Sequence, residues 1–454
     1  MSDELAFATI GELGGAIRSG AVSPTELASY YLERFESIGR GLNAVTTLRP
    51  ERAMAAAQKA EDELAAGVDR GPLHGIPYGA KDLLATVDYP TSWGAAPFRG
   101  QQFGRDAEVI RLLDEAGAVL CAKLSMVEIA GGFGYEQPDA AFNGPGKCAW
   151  GPDSWAGGSS SGSGSAVAAG CVPFAIGTET WGSILCPSSF NGLTGLRPSY
   201  GTVSRNGAMA LSWTMDKIGP MCHTAADCEL VLNAIAERDE WTRSERARAP
   251  FKVAVLAGSA GEAQPEVSTN FAAALDALSD FAHLEEVTLP AELPWDAAAS
   301  VIVMAEAASA FEEFIVSGES QGLTAPEDRA GLHHALALPA TDYLRALRIR
   351  RKAMRVLDEL LTGYDAIVAP TMPYVAIPLA DRFDTWFGKE RGPSLGAAGN
   401  LCGVPSITVM NGLGARGLPT GLEFMSRAGY EGTLLELTVR YQSATDWHDR
   451  HPAL

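Results

Sequence analysis

Leu27, Tyr31, Phe35 and Ile38 return every three or four residues, the period of one helix face. Just ahead of them, Ser23-Pro24-Thr25-Glu26 offers a capping serine, a first-turn proline and a glutamate three residues beyond the cap, so a helix begins there. Ala53 to Ala65 is rich in Ala, Glu and Lys and predicts a second helix, ending at the turn from Gly67 to Gly71. Asp106 to Ala116 is amphipathic with Gly117 as its C-cap. Further helices are expected over Ala226–Ala236, Asn270–Phe281, Ala297–Val316 and Thr341–Leu361.

Between these stretches lie short apolar runs of strand length: Ile76–Lys81, Ala118–Ala122, Val172–Ile176, Lys252–Leu256, Ala366–Ala369 and Ser406–Met410. Helix alternating with buried strand predicts an α/β protein, an α/β/α sandwich with helices on both faces of its sheet. No repeat of fixed period and no low-complexity linker interrupts the chain, so one domain is expected over residues 1–454. Residues 157–165 are glycine and serine throughout, leading into Ala166–Ala169 and then Val172–Ile176, which predicts a loop, a helix and a strand in turn. A solvated linker would lack those apolar neighbours, so the segment is expected to be packed.

Composition narrows the functions this pattern can serve. With 46% hydrophobic and 20% charged residues, the chain can bury a large core. A net charge of −20 argues against a nucleic-acid or anionic-membrane partner, because both need clustered Lys and Arg. The seven cysteines form no C-x-x-C pair and no disulfide framework, so reduced, buried thiols are expected. The seven histidines form no H-E-x-x-H pattern and the cysteines no zinc spacing, hence neither a metal nor a cofactor is expected. His333-His334 are expected on a surface helix and His74 in a structural hydrogen bond. The N-terminus, acidic at Asp3 and Glu4, reads as no targeting segment, and no apolar run is long enough to span a membrane, which suggests a cytoplasmic location.

Familiar motifs fail against the Gly/Ser segment. Around Gly146-Lys147, Ala141 and Cys148 replace the glycine and hydroxyl residue of a phosphate loop. Gly162-Ser163-Gly164 is followed by Ser165-Ala166-Val167 and misses the dinucleotide fingerprint. Gly158 to Gly162 matches G-x-S-x-G with Ser160 as nucleophile, but Pro152 to Gly157 ahead of it reads as a turn, where that elbow needs a strand.

A fuller match runs from Gly157-Gly158-Ser159-Ser160 through a small-residue helix to Gly182-Ser183-Ile184, and closes on Gly195-Leu196-Arg197-Pro198-Ser199-Tyr200-Gly201. Upstream stand Gly71 to Pro77 and Lys81-Asp82, downstream Asp365 to Pro373 and Asn400 to Glu423. This pattern resembles the amidase signature family, serine amidohydrolases with a Ser-cisSer-Lys triad, with its core near 71–235 and a divergent, pocket-shaping region near 240–360. The resemblance implies Ser183 as nucleophile, Ser159 on a cis Gly158–Ser159 peptide as the bridge, and Lys81 as base. It also implies an oxyanion hole from the backbone N–H groups of Thr180, Trp181, Gly182 and Ser183.

The chemistry agrees with those roles. A serine hydroxyl needs a base within hydrogen-bond reach, and Ser159 can relay its proton to Lys81 only if Lys81 is neutral. An exposed lysine titrates near ~10.4, so Lys81 must be buried, as the apolar and small residues of Ile76–Ala80 suggest.

The chain departs from the family pattern at Glu179, where Asp is common, at Trp181, where Gly is common, and at Leu185, where Arg is common. Trp181 either walls the pocket or packs in the core, and Leu185 removes a charge, which favours an uncharged substrate. Trp181, Leu185 and Met126 are the expected substrate contacts. The expected activity is hydrolysis of neutral amides through a serine acyl-enzyme. Alternatives are a urethanase cleaving carbamates with the same triad, and an amidotransferase glutaminase component, the A subunit, that liberates ammonia from glutamine. A degenerate, non-catalytic member is disfavoured by retention of the whole trio. The expected partner is a small neutral amide or carbamate, and the expected state a monomer or homodimer.

Overall fold

A computed structural model of the chain describes residues 3–132, 134–237, 250–386 and 393–454. The capping signal at Ser23 acts as expected: its hydroxyl accepts from the Glu26 N–H at 3.1 Å, and the Glu26 carboxylate accepts from the Ser23 N–H at 2.9 Å, opening the helix Pro24–Arg34. Helices also occupy Pro50–Ala65, Glu108–Glu115, Ala225–Ile235, Pro265–Ser279 and Ala340–Leu361, each within a few residues of expectation. Gly117 ends the helix Glu108–Glu115 with φ +78, a conformation glycine adopts without a side-chain penalty.

Thirteen strands follow in chain order: β1 (Val45–Leu48), β2 (Pro77–Lys81), β3 (Val119–Leu124), β4 (Lys147–Cys148), β5 (Gly151–Trp155), β6 (Phe174–Glu179), β7 (Thr194–Arg197), β8 (Lys217–Cys222), β9 (Phe251–Leu256), β10 (Ala282–Val287), β11 (Ala366–Pro370), β12 (Ser406–Leu413) and β13 (Pro419–Met425). Eleven of them form one mixed sheet, ordered β1-β3-β2-β6-β8-β7-β12-β13-β11-β9-β10, while β4 and β5 make a separate ribbon. β2 runs parallel to β3 and β6, and β9 parallel to β10 and β11; the remaining pairs are antiparallel.

Alternation along the strands supplies both faces of this α/β/α sandwich. Phe174, Ile176, Val253, Val255 and Val368 enter one apolar cluster, whereas Ala175, Ala254, Ile367 and Ala369 enter clusters on the other side. All seven cysteines are buried and free. Among the described residues, no helix is long and apolar enough to cross a membrane, and no cluster of three His, Cys, Asp or Glu side chains is arranged to hold a metal.

Three expectations are corrected. The Gly/Ser segment is already helical from Ser161 to Ala168 and buried on every side. Poor helix formers serve there because a Cβ at Gly162 would lie 2.3 Å from Ala44 O and 2.4 Å from Ser125 N, so only glycine admits this packing. Residues 152–157 are not a turn, since β5 occupies Gly151–Trp155 and buries Trp155 at its end. The stretch expected as one helix over Ala297–Val316 is two, Trp295–Ala310 and Glu312–Val316, divided at Phe311.

Candidate active site

β2, β6 and the helix Ser161–Ala168 meet at Lys81, which is fully buried at the last position of β2. Its Nζ lies 2.8 Å from Ser159 Oγ, 2.9 Å from Thr178 Oγ1 and 3.3 Å from Thr178 O. Burial draws its pKa down to about 7, against the opposing pull of Asp216 and Glu179. A neutral amine has two N–H donors and one lone pair. Thr178 O and Oγ1 can take the donors, leaving the lone pair to accept the Ser159 hydroxyl proton, the polarity a relay requires. Asp82, next in sequence, does not pair with Lys81: its carboxylate lies 3.2 Å from buried Lys123 and accepts from Ser92.

The Gly158–Ser159 peptide is cis. Ser159 O accepts from Val127 N–H at 3.1 Å, and Ser160 N–H donates to Ser183 O at 3.4 Å, tying the two serine segments together. The Ser160 hydroxyl is fully buried and committed to Thr178, donating to its O at 3.2 Å, which removes Ser160 as a nucleophile. Ser163 and Ser165 donate to Ile176 O and Lys147 O, structural roles like that of Ser160.

Ser183 stands on the turn between β6 and the helix Leu185–Phe190, 8% exposed. Glu179, the last residue of β6, shapes that turn. Its Oε2 accepts from Ile184 N–H at 2.9 Å and Leu185 N–H at 3.0 Å, capping the helix behind Ser183. Its Oε1 accepts from Arg197 at 2.8 Å and Asn400 at 2.9 Å. Burial pushes the Glu179 carboxyl up, but Arg197 and Lys217 outweigh it and hold the pKa at about 2. Gly182 takes φ +86, which places a glycine where the chain must reverse. The N–H groups of Trp181, Gly182 and Ser183 have no hydrogen-bond partner among the described residues, as an oxyanion hole needs. Thr180 anchors the same turn, its hydroxyl donating to Asp216 at 2.6 Å.

Ser183 opens on a cavity of about 260 Å³ lined by Ala130, Tyr135, Trp181, Leu211, Val303 and Met304 among others, with no Asp, Glu, Lys, Arg or His among the described residues of its wall. Tyr135, Gly158 and Trp181 also wall a second cavity, of about 440 Å³, whose lining includes Leu185. Trp181 lies in the wall of both cavities and packs against the cluster around Leu395 and Leu401. Met126 does not: it is fully buried in the core and lines neither cavity. His74 is structural, its Nδ1 accepting from Arg70 N–H at 3.1 Å and its Nε2 lying 3.1 Å from Glu63. His333 and His334 are exposed on the helix Pro326–Ala335. Thr178 and Asp216 also belong to the site, and so does Asn400, the first residue of the matched stretch from Asn400 to Glu423, to which the sequence assigns no role.

A family model described as Amidase matches residues 26–435. The chain is 34% identical over 483 residues to the A subunit of glutamyl-tRNA(Gln) amidotransferase from Methylococcus capsulatus, and 33% identical over 481 residues to its counterpart from Alkalilimnicola ehrlichii, with 98% of each chain covered in both cases. Among solved structures it is similar to the native peptide amidase of Stenotrophomonas maltophilia, with a TM-score of 0.83, 30% identity, and coverage of 96% of this chain and 97% of that one. A bacterial aryl acylamidase shares the fold, with a TM-score of 0.86, 21% identity and coverage of 98% and 97%.

Proposed function

The chain belongs to the Amidase family, and from that premise we propose that it is a serine amidohydrolase cleaving the C–N bond of an uncharged amide through an acyl-enzyme on Ser183. The observation that carries this reading is the buried Lys81 amine 2.8 Å from Ser159 Oγ, titrating at about 7. Neutral Lys81 takes the Ser159 proton as Ser159 takes that of Ser183, and the Ser183 oxygen adds to the carbonyl carbon. The N–H groups of Trp181, Gly182 and Ser183 stabilise the oxyanion, each such donor contributing about 3 to 4 kcal/mol in the transition state. The proton then returns through Ser159 to the leaving nitrogen, the C–N bond breaks, and water repeats the sequence on the ester.

The wall of the Ser183 cavity, free of charged side chains, supports an uncharged reacting group, and a carbamate presents the same carbonyl with an alkoxy arm. Glutamine is the second reading, favoured by the amidotransferase components to which the chain is similar. A free amino acid also brings a carboxylate. The one cation lining either cavity among the described residues, Arg197, is committed to Glu179, Ser406 and Val404 O.

The test is the purified chain against aliphatic amides, anilides, aryl carbamates and glutamine, with Ser183→Ala alongside. Amide turnover that falls at least about 10³-fold in Ser183→Ala, with fluorophosphonate labelling of Ser183, is expected. Turnover that survives Ser183→Ala would remove the nucleophile, and turnover of glutamine alone would favour the second reading.

A further inference from the structure

Three residues that line the larger cavity each carry a buried polar atom with no hydrogen-bond partner among the described residues: Asn400 Oδ1, Glu423 Oε1 and Ser259 Oγ. Their residues are 0%, 3% and 6% exposed, and an unpaired polar atom this deep is unfavourable unless something completes it. The orientation of Asn400 is set by its neighbours. Its Nδ2 donates to Glu179 Oε1 at 2.9 Å and Gly396 O at 3.0 Å, so the free atom is the carbonyl oxygen, an acceptor. Glu423, midway along β13, has Ser406 as a side-chain hydrogen-bond neighbour, and Ser406 in turn accepts from Arg197 at 2.7 Å.

The charges of this cavity divide in the same sense. Glu179 and Arg197 neutralise each other at 2.8 Å, both fully buried. Among the described residues Glu423 has no cation of its own, and exposed Asp296 adds a second carboxylate to the wall. Trp181, Tyr374 and Trp386 supply aromatic surface, which suits a cation further. Burial pushes Glu423 up to about 7, against the pull of Arg197 and the Ser406 hydroxyl.

A ligand group that answers these features must donate several hydrogen bonds, accept none, and carry positive charge. A primary ammonium has three N–H donors and no acceptor. We propose that the larger cavity is a subsite for a primary ammonium on the far end of the substrate, held by Asn400, Glu423 and Ser259. The reacting amide lies in the uncharged cavity at Ser183, and the connecting methylenes pass the shared wall at Tyr135, Gly158 and Trp181. This rests on the hydrolase reading for its link to catalysis, though not for the binding itself.

The test compares ω-aminoalkanamides of increasing chain length, each against the alkanamide bearing methyl in place of ammonium. Two quantities are read: kcat/KM in the wild type, and calorimetric affinity for the Ser183→Ala protein. At one chain length the amino compound is expected to win by at least about tenfold in both, the worth of a charge-assisted hydrogen bond. Glu423→Gln should bring that ratio close to parity. Ser259→Ala, on a loop outside the sheet, should lower it by a smaller factor and serves where Glu423→Gln does not fold. Equal affinity for amino and methyl compounds at every length, or a ratio unchanged in both variants, overturns the subsite. Alkanamide hydrolysis with no ammonium preference would defeat the subsite and keep the hydrolase. Selective binding of the amino compound without turnover would keep the subsite and defeat the hydrolase.

Discussion

Replacing Lys81 with methionine separates the two demands this residue answers. A lysine in the unfolded chain titrates near 10.5 and Lys81 near 7, a difference worth about 5 kcal/mol of disfavoured charge. At neutral pH the unfolded chain holds the proton that the folded chain half releases, so Lys81 lowers stability there by about 4 kcal/mol. Methionine removes that penalty with a side chain of similar length. It also leaves the Ser159 and Thr178 hydroxyls without their amine partner, an opposing loss of about 2 kcal/mol. A net gain of about 2 kcal/mol is expected, with kcat/KM falling at least about 10³-fold because the base is gone.

The pH dependence gives the sign. Because the folded pKa lies below the unfolded one, wild-type stability rises between about pH 7 and about pH 10.5 as the unfolded chain surrenders its proton. The advantage of Lys81→Met is therefore full at or below about pH 7 and lost toward about pH 10.5. Urea unfolding followed at several pH values, with amide turnover measured on the same samples, reads both effects. A variant that loses stability at every pH, or that keeps activity within tenfold, would refute the reasoning.

Gly162→Ala should destabilise by at least about 1 to 3 kcal/mol in urea unfolding, because its Cβ would meet backbone atoms of Ala44 and Ser125 that cannot yield as a side chain would. Asp328, fully buried beside Glu128, has its pKa pushed up to about 8 by burial and by that neighbouring carboxyl, while Glu128 accepts from Thr324 and Ala325 N–H at 2.8 Å each. A raised folded pKa means wild-type stability falls as pH climbs from about 4 to about 8, so Asp328→Asn should unfold at the same urea concentration as wild type in acid and at a higher one above about pH 8. A difference that shrinks with rising pH would contradict the carboxyl pairing.

What could be read in the sequence was whatever local spacing determines. Ser23 to Glu26 encodes its own cap, and β2, β3, β6, β9, β11 and β12 announce themselves by apolar runs because both of their faces are covered. β8 and β13 do not, since Lys217-Ile218-Gly219-Pro220 and Pro419-Thr420-Gly421 carry turn residues that only the neighbouring strands hold extended. The helix Ser161–Ala168 reads as loop by propensity, and close packing overrides it.

The same division runs through the site. Lys81, Ser159 and Ser183 lie in contiguous motifs, whereas Asn400 reaches Glu179 across 221 positions and Thr178 meets Lys81 across 97. Adjacency in sequence also misleads: Asp82 follows Lys81 yet pairs with Lys123, and Met126 enters the core while Val127 beside it binds Ser159 O. In extended chain, successive side chains point to opposite sides, so a neighbour in sequence is often the residue least able to share a site. Asn400 and Glu423 carry this furthest. They bound the matched stretch from Asn400 to Glu423, yet each occupies a buried position in a regular element, and an unpaired oxygen on a residue that lines a cavity is what distinguishes it from a structural one.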